Sequence, residues 1–160
     1  MGVFHTQELR GFSISDLKRM MPVVDTETTF GADSPEWSDE EQALLIDSIV
    51  NGFGVPTIYL RTLTERKKNP QGLSYQYSVI DGKQRINAIM RFANNELALP
   101  DNFTFVDDQY VKAGGMKLED LKDQYPELVA RFWNHGLHVV TVRCYSDNLI
   151  NVMVNRLRIG

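Results

Sequence analysis

The stretch Val79–Phe92, VIDGKQRINAIMRF, passes from an apolar end through Asp-Gly into a cationic and then amphipathic segment. Its first residues are typical of the end of a strand, and its later apolar residues repeat at the spacing of one helix face. Glycine at position 82 lets the backbone turn sharply, with a positive φ if needed. The stretch therefore predicts a strand followed directly by a helix, with the bend between them at Gly82. The helix residues expected to face the core are Ile86, Ile89, Met90 and Phe92.

Upstream of this junction, two helices and a loop are predicted. Ser38 and Glu41 form a capping-box pattern, and Asn51-Gly52 ends the helix that it opens. The apolar residues of that helix, expected in the core, are Leu44, Leu45, Ile49 and Val50. Earlier, FSISDLKRMM predicts a short helix capped by Ser13 or Ser15. Residues 23–37 have no period and many turn formers, so they predict a long loop.

Around the same junction, the remaining pattern indicates few strands. TIYLRTLT after Pro56 alternates with Ile58 and Leu60 on one face, and it predicts a hairpin with the strand that leads to Asp81. Short strand pieces are expected at 97–99 and 103–106. Two helices, KLEDLKDQ and PELVARFWN, a strand LHVVTVRCY and a closing helix from Ser146 or Asp147 complete the chain. Residues 1–160 thus predict a single α+β domain.

Composition sets limits on the class of protein. The chain has 160 residues, 42% of them hydrophobic, with a formal net charge of −4 and a single cysteine, Cys144. This length suits one domain, and the charge argues against a generally basic, DNA-coating surface. One cysteine excludes an intramolecular disulfide, and the first ten residues show no secretory signal, so a cytoplasmic location is expected. No apolar run reaches the length of a membrane span, so no membrane partner is expected. The closing Arg-Ile-Gly, without a polar tail, favours a fragment of a longer protein.

The residues after Gly82 could hold an anion. The first turn of a helix has unpaired N–H groups and the positive end of the dipole, and Lys83 and Arg85 add formal charge there. Arginine can hold a phosphate through two parallel hydrogen bonds, and Asp81 could orient a water, hold a divalent cation or pair with Arg85. The alternative is structural: Asp81 caps the helix, Gly82 makes the turn, and both cations are solvated. The residues alone leave both interpretations open.

Several motifs resemble a known family. The run Ile80–Ile86 resembles the Ile/Val-Asp-Gly-Gln-Gln-Arg-Leu hallmark of the N-terminal domain of GmrSD-type restriction enzymes, within the ParB/sulfiredoxin-like superfamily. Leu45–Ile49, followed by a glycine and Pro56, resembles a second hallmark, and Trp37 before that helix resembles a third. The opening FSISDLKRMM and the closing Arg156–Gly160 also look like family landmarks.

The resemblance implies a fold and an activity. The fold would be a ParB/sulfiredoxin-like α+β domain, a small mixed sheet with flanking helices. The implied function is the binding, and the hydrolysis, of an NTP with Mg²⁺, coupled to DNA-directed restriction or to a phage counterpart. Gly82 and the following N–H groups would cradle phosphate, with Lys83 and Arg156 as further nucleotide-binding residues. Catalytic roles fall to Asp81, Gln84 and Arg85, with Asp81 also the candidate metal ligand. Expected partners are a nucleotide, DNA, and a downstream nuclease domain or partner protein.

Two departures from the family pattern motivate alternatives. The family has Gln-Arg shortly before the Trp, whereas residues 32–37 read ADSPEW with acidic Asp33 and Glu36. The family's closing Arg-x-Asn-x-Gly is Arg156–Gly160, RLRIG, here. One alternative is therefore a catalytically inactive protein- or DNA-interaction module that keeps the fold. Another is a metal-dependent ParB-like nuclease.

A basic turn offers a candidate contact with nucleic acid. Its cations are close together in the sequence, although charge runs of this kind are usually solvated. The cations in question are Arg61, Arg66, Lys67 and Lys68.

Overall fold

A computed structural model describes residues 4–30, 35–65 and 67–159 of the protein, with the backbone alone at 159. Among these residues five strands form one mixed sheet in the order β1-β5-β3-β4-β2. Strands β1 and β5 pair antiparallel, as do β3 and β4, while β3 with β5 and β2 with β4 run parallel. The strands are β1 (Phe4–Leu9), β2 (Val24–Asp25), β3 (Ile58–Thr62), β4 (Tyr77–Asp81) and β5 (Val139–Cys144).

Six α-helices flank this sheet within the same ranges, together with a 3-10 turn at Met21–Val23. The mixed α+β class, a small mixed sheet with flanking helices, is therefore confirmed. None of the helices in the described ranges combines the length and apolar character that crossing a membrane requires. The helices are α1 (Ile14–Met20), α2 (Asp39–Val50), α3 (Lys83–Ala93), α4 (Leu118–Gln124), α5 (Pro126–Asn134) and α6 (Asp147–Ile159).

The sheet separates a large core from a small one. Successive residues of a strand face opposite sides, so Val79 and Ile80 of β4 enter different cores. Val79 joins the large core, which is filled by residues of α1 to α5, including the fully buried Phe92 and Phe132. Ile80 joins the small core, to which the helix α6 contributes. The small core consists of Phe30, Ile80, Val142, Cys144, Ile150 and Val154.

The predicted helix boundaries follow local chemistry. Ser38 and Glu41 form the expected capping box at the start of α2. Ser13, rather than Ser15, caps α1, with Asp16 completing a second capping box. Asn51 ends α2, and Gly52 follows with a φ of 79°, a value that favours glycine.

Several expectations from the sequence are wrong. The segment 23–37 contains the short strand β2, and β1 was not predicted at all. The pieces 97–99 and 103–106 are buried at alternate positions, yet they form no strand. Leu44, which was expected in the core, is 62% exposed. The core-facing side of α2 carries Leu45 and Ile46 instead. Met90 is only partly buried.

Candidate functional site

The junction between β4 and α3 is a tight bend. β4 ends at Asp81, α3 begins at Lys83, and Gly82 between them has φ 113° and ψ 10°. A Cβ at Gly82 would lie 3.1 Å from Cγ1 of Ile58, so glycine is required both by the backbone conformation and by the neighbouring side chain. The predicted strand-to-helix handover at this position is confirmed.

Arg85 folds back over this bend. Its Nη2 donates to the carbonyl oxygen of Thr57 at 2.8 Å and to Oδ2 of Asp81 at 3.2 Å. The Arg85 side chain is 14% exposed and that of Asp81 is 26% exposed. The Nε of Arg85 is buried and has no hydrogen-bond partner among the described residues. The structure therefore brings Asp81, Gly82 and Arg85 together, and the buried Nε donor of Arg85 is unused within the described contacts.

Gln84 lies on another side of α3. Its Oε1 accepts a hydrogen bond from the backbone N–H of Trp37 at 3.1 Å, which ties α3 to the residue before the α2 cap. Gln84 and Trp37 line a shallow cavity of about 300 Å³ together with Glu36 and Arg91. The side chains of Gln84 and Arg85, although adjacent in the sequence, therefore contact different parts of the molecule. Asp33, the other acidic residue of this segment, lies outside the described residues.

The remaining nucleotide-site candidates are Lys83 and Arg156. Lys83 is half-buried at the first position of α3, and Arg156 is exposed in the last turn of α6. None of the ion pairs among residues 4–30, 35–65 and 67–159 joins Arg156 to Asp81. The same ranges contain no group of three or more His, Cys, Asp or Glu residues that could hold a metal ion. Asp81 therefore belongs to no such group within those ranges.

The basic turn is not one continuous surface. Arg66 lies outside the described residues, and Lys68 is exposed. Lys67 Nζ lies 3.7 Å from Oδ2 of Asp25. Arg61 is only 13% exposed, because its Nε and Nη2 donate to the carbonyl oxygen of Cys144 and its Nη1 donates to Asp147. Arg61 and Lys67, but not Lys68, are among the residues that line one cavity of about 470 Å³.

A row of three polar side chains crosses the sheet at this cavity. Asp25 of β2 is the register partner of Ser78 in β4, and Ser78 is the register partner of Arg61 in β3. Register partners point to the same face of a sheet, and all three residues line the cavity. Ser78 is 1% exposed, and its Oγ has no hydrogen-bond partner within the described part of the chain. We call these residues the Asp25–Ser78–Arg61 row.

Asp25 is held as a carboxylate. Its Oδ2 accepts from the Thr28 hydroxyl at 2.7 Å, and its Oδ1 accepts from the backbone N–H of Glu27 at 2.9 Å. Burial raises the pKa of Asp25, but the bonds from Thr28 and Glu27 and the nearby Lys67 outweigh burial and bring the pKa below its ordinary value. Asp25 therefore remains ionised although it is only 4% exposed.

The sequence model of the GmrSD restriction endonuclease N-terminal domain matches residues 35–147, which is more than half of the chain. The chain belongs to the family of GmrSD restriction endonuclease N-terminal domains. No match was found among curated proteins or among solved structures. In this GmrSD N-terminal domain the match includes the whole β4–α3 junction, whereas Asp25 and Arg156 lie outside it.

Sequence reasoning missed the Asp25–Ser78–Arg61 row of this GmrSD N-terminal domain. Its members are far apart in the chain and come from three strands, one of which, β2, has only two residues. The one local signal is Asp25 with Thr28 three residues later, a pattern typical of an Asx turn. That pattern predicts the turn but not the cavity that it helps to line.

Proposed function

We propose that this chain is the nucleotide-handling domain of a DNA-directed restriction system, or of its phage counterpart, and that an NTP places its phosphates at the start of α3. Family membership supports a restriction-related role. The phosphate site is supported by one observation, the buried Nε of Arg85 without a partner among the described residues. An unsatisfied buried donor costs about 1–3 kcal/mol, and an oxyanion beside it would remove that cost.

The first turn of α3 supplies further donors. The first N–H bonded within the helix is that of Ile86, which donates to the carbonyl oxygen of Gly82 at 2.9 Å. The N–H groups of residues 83–85 therefore precede the intrahelical hydrogen-bond ladder, at the positive end of the dipole. In the proposed complex they and Gly82 cradle phosphate, while Lys83 and Arg85 balance its charge. Arg156 would contribute from α6.

Binding in this form exchanges one ion pair for another. The Asp81–Arg85 contact is only partly buried, so a phosphate can compete for the guanidinium. Asp81 would then be released to position a water or to hold Mg²⁺. A single carboxylate suits Mg²⁺, which is usually bound by one or two carboxylates together with the phosphates of the substrate. Gln84 could join Asp81 in positioning water only by leaving the Trp37 N–H.

Other partners follow from the restriction-related role. Lys67 and Lys68 are exposed and could contact DNA phosphates, with Arg61 reaching the same region only by leaving Cys144. Cleavage of DNA would be carried out by a downstream nuclease domain or a partner protein, because the described residues offer no cluster of metal ligands for it.

Isothermal titration of a non-hydrolysable NTP with Mg²⁺ tests the proposal. Arg85→Ala should weaken binding at least about tenfold, since it removes charge-assisted hydrogen bonds to phosphate. Arg19→Ala, which removes a cation whose side chain is 75% exposed on α1, is the matched control and should bind as the wild type does. Absence of binding by the wild-type chain would contradict the proposal. Titrations with adenine, guanine and cytosine nucleotides then identify the base.

A second candidate is an interaction module that keeps the fold without catalysis. It is favoured by the mutual pairing of Asp81 and Arg85, which compensates both charges in the absence of a nucleotide, and by the burial of Gly82. Phosphate release from an NTP separates the two candidates. A rate that is measurable for the wild type and lost in Asp81→Ala supports catalysis, whereas nucleotide binding without turnover supports the module.

A further inference from the structure

The cavity of about 470 Å³ lies towards the end of β4 remote from Gly82. Ser78, near the start of β4, lines it together with residues that follow the ends of β3 and β5. Its volume falls in the range of small-molecule sites, about 300–1,000 Å³. It shares no lining residue with the Asp81–Arg85 segment. The cavity is therefore distinct from the proposed phosphate site on α3.

Ser78 is the strongest sign that this cavity takes a ligand. Its hydroxyl can donate one hydrogen bond and accept two, yet it forms none with the residues that the structure describes. The residue is 1% exposed, so bulk water does not compensate. Its register partners on either side, Asp25 and Arg61, are both bonded elsewhere. Ser78 is thus a residue that lines the cavity and whose buried hydroxyl has no partner among the described residues.

The hydrogen-bonding groups around Ser78 that remain unused are mainly N–H donors. A guanidinium has five N–H groups, and the three hydrogen bonds to Cys144 and Asp147 leave two of those of Arg61 within the described contacts. Lys67 Nζ lies 3.7 Å from Asp25, beyond hydrogen-bond length, and can turn towards the cavity. These donors favour a ligand that brings oxygen acceptors and negative charge.

The carboxylates of the cavity do not oppose such a ligand strongly. Asp25 already accepts hydrogen bonds from Thr28 and Glu27 and faces Lys67, so its charge is compensated. Asp147 is 78% exposed and Glu65, the third carboxylate that lines the cavity, is also exposed, so water screens both. Phe30 lies beneath the Arg61 guanidinium, 5.6 Å from ring centre to Cζ, and holds its plane in position.

We propose that this cavity binds a small organic molecule through an anionic oxygen group, a phosphate monoester or a carboxylate, held by Ser78, Arg61 and Lys67. The Ser78 hydroxyl and the free N–H groups of Arg61 donate to the anion, and Lys67 adds charge from the rim. The organic part lies in the remaining volume, beside Tyr145, which is 68% exposed at the mouth. This site is independent of the NTP site proposed on α3.

Titrations followed by amide chemical shifts in NMR test the proposal, with ribose 5-phosphate, gluconate and ribose as probes. The two anions distinguish phosphate from carboxylate, and ribose is the neutral control. We expect at least one anion to shift the amide signals of Ser78 and Arg61, and ribose to shift neither. Ser78→Ala should weaken that binding about fivefold, the effect of one lost hydrogen bond. Lys67→Gln should also weaken it.

Two controls make the result specific. Lys68→Gln removes the neighbouring exposed lysine that does not line the cavity, and it should leave binding unchanged. Arg85→Ala should also leave it unchanged, so loss of the NTP site and loss of this site can be told apart. The proposal is overturned if neither anion shifts the two amide signals, if ribose shifts them equally, or if Lys68→Gln weakens binding as much as Lys67→Gln.

Discussion

The two ends of β4 hold buried polar groups in different ways. After its last residue, Asp81 and Arg85 bond to each other at 3.2 Å, and Gly82 packs against Ile58. Near its start, Ser78 is only 1% exposed, its Oγ forms no hydrogen bond with the described residues, and it borders a cavity of about 470 Å³. At the first end two charges compensate each other, although Nε of Arg85 is buried without a partner among the described residues. At the other end a neutral hydroxyl lacks a partner among those residues and belongs to a residue that lines a cavity.

This difference determines what a ligand must do at each end. At the start of α3 an anion that takes the Nη2 donor of Arg85 displaces Asp81, so that part of the gain is only the difference between two ion pairs. The buried Nε of Arg85 has no partner to displace among the described residues. At Ser78 an anion adds hydrogen bonds without breaking any that Ser78 forms within the described contacts. Packing at the first end and unmet hydrogen bonding at the second are therefore the features to test by substitution.

The largest effect is expected from Gly82→Ala. Alanine at a φ of 113° is strained, and its Cβ would lie 3.1 Å from Ile58. Backbone strain and overpacking together should lower the free energy of unfolding by about 2–4 kcal/mol. Urea denaturation monitored by circular dichroism measures the change.

Gly72→Ala is the matched control for that substitution. Gly72 also has a positive φ, 84°, but a Cβ there would meet nothing within 4 Å. Gly72→Ala should lower the free energy of unfolding only through backbone strain, by about 1–2 kcal/mol. Equal losses in the two variants would show that the bend before α3 is not packed as tightly as the contact with Ile58 implies.

The bend was predictable because its determinants are local. An apolar strand end, a glycine and an amphipathic repeat are adjacent in Val79–Phe92, and capping boxes likewise mark α1 and α2. Leu44 shows the limit of periodicity, since two adjacent leucines fit the pattern and only Leu45 faces the core. Asp81 and Arg85 lie on either side of this bend, in β4 and α3, and their pairing was one of the roles that the sequence left open for Asp81.

What could not be predicted depends on pairing between distant segments. β1, FHTQEL, is exposed along most of its length, so no hydrophobic alternation identifies it, and its register comes from β5. Leu97 and Leu99 alternate in burial as a strand would, but Leu99 bonds to Met116 in a loop rather than to a neighbouring strand. The Asp25–Ser78–Arg61 row requires β2, β4 and β3 side by side, which only the assembled sheet provides.

A smaller effect, which depends on pH, is expected from Asp25→Asn. The substitution removes charge-assisted acceptance from Thr28 and Glu27, so at neutral pH it should destabilise the protein by about 1–2 kcal/mol. The folded-state pKa of Asp25 is lowered from its ordinary 3.8. Its stabilising contribution is therefore complete above that value and is lost as the pH falls through the folded-state pKa.

The difference in free energy of unfolding between wild type and Asp25→Asn should thus narrow as the pH falls below 3.8 and through the folded-state pKa of Asp25. Urea unfolding across a pH series measures it. Asp147→Asn, which removes a carboxylate that is 78% exposed on the same cavity, should change stability by less than about 0.5 kcal/mol at any pH. A gap for Asp25→Asn that stays constant with pH would show that the carboxylate is not held in its charged form.

The smallest effect has the opposite sign. Ser78→Ala removes a buried hydroxyl that has no partner among the described residues, so it should stabilise the ligand-free protein by about 1 kcal/mol. Thr141→Val is the control, because Thr141 is also buried but donates its hydroxyl to Gln7 at 3.2 Å, and its loss should destabilise by a similar amount. Thermal denaturation without added anions measures both. If Ser78→Ala is instead destabilising, the hydroxyl has a bonding partner in the free protein. The start of β4 would then have no unused hydrogen-bonding group at Ser78, and the reason to expect a ligand in the cavity would be gone.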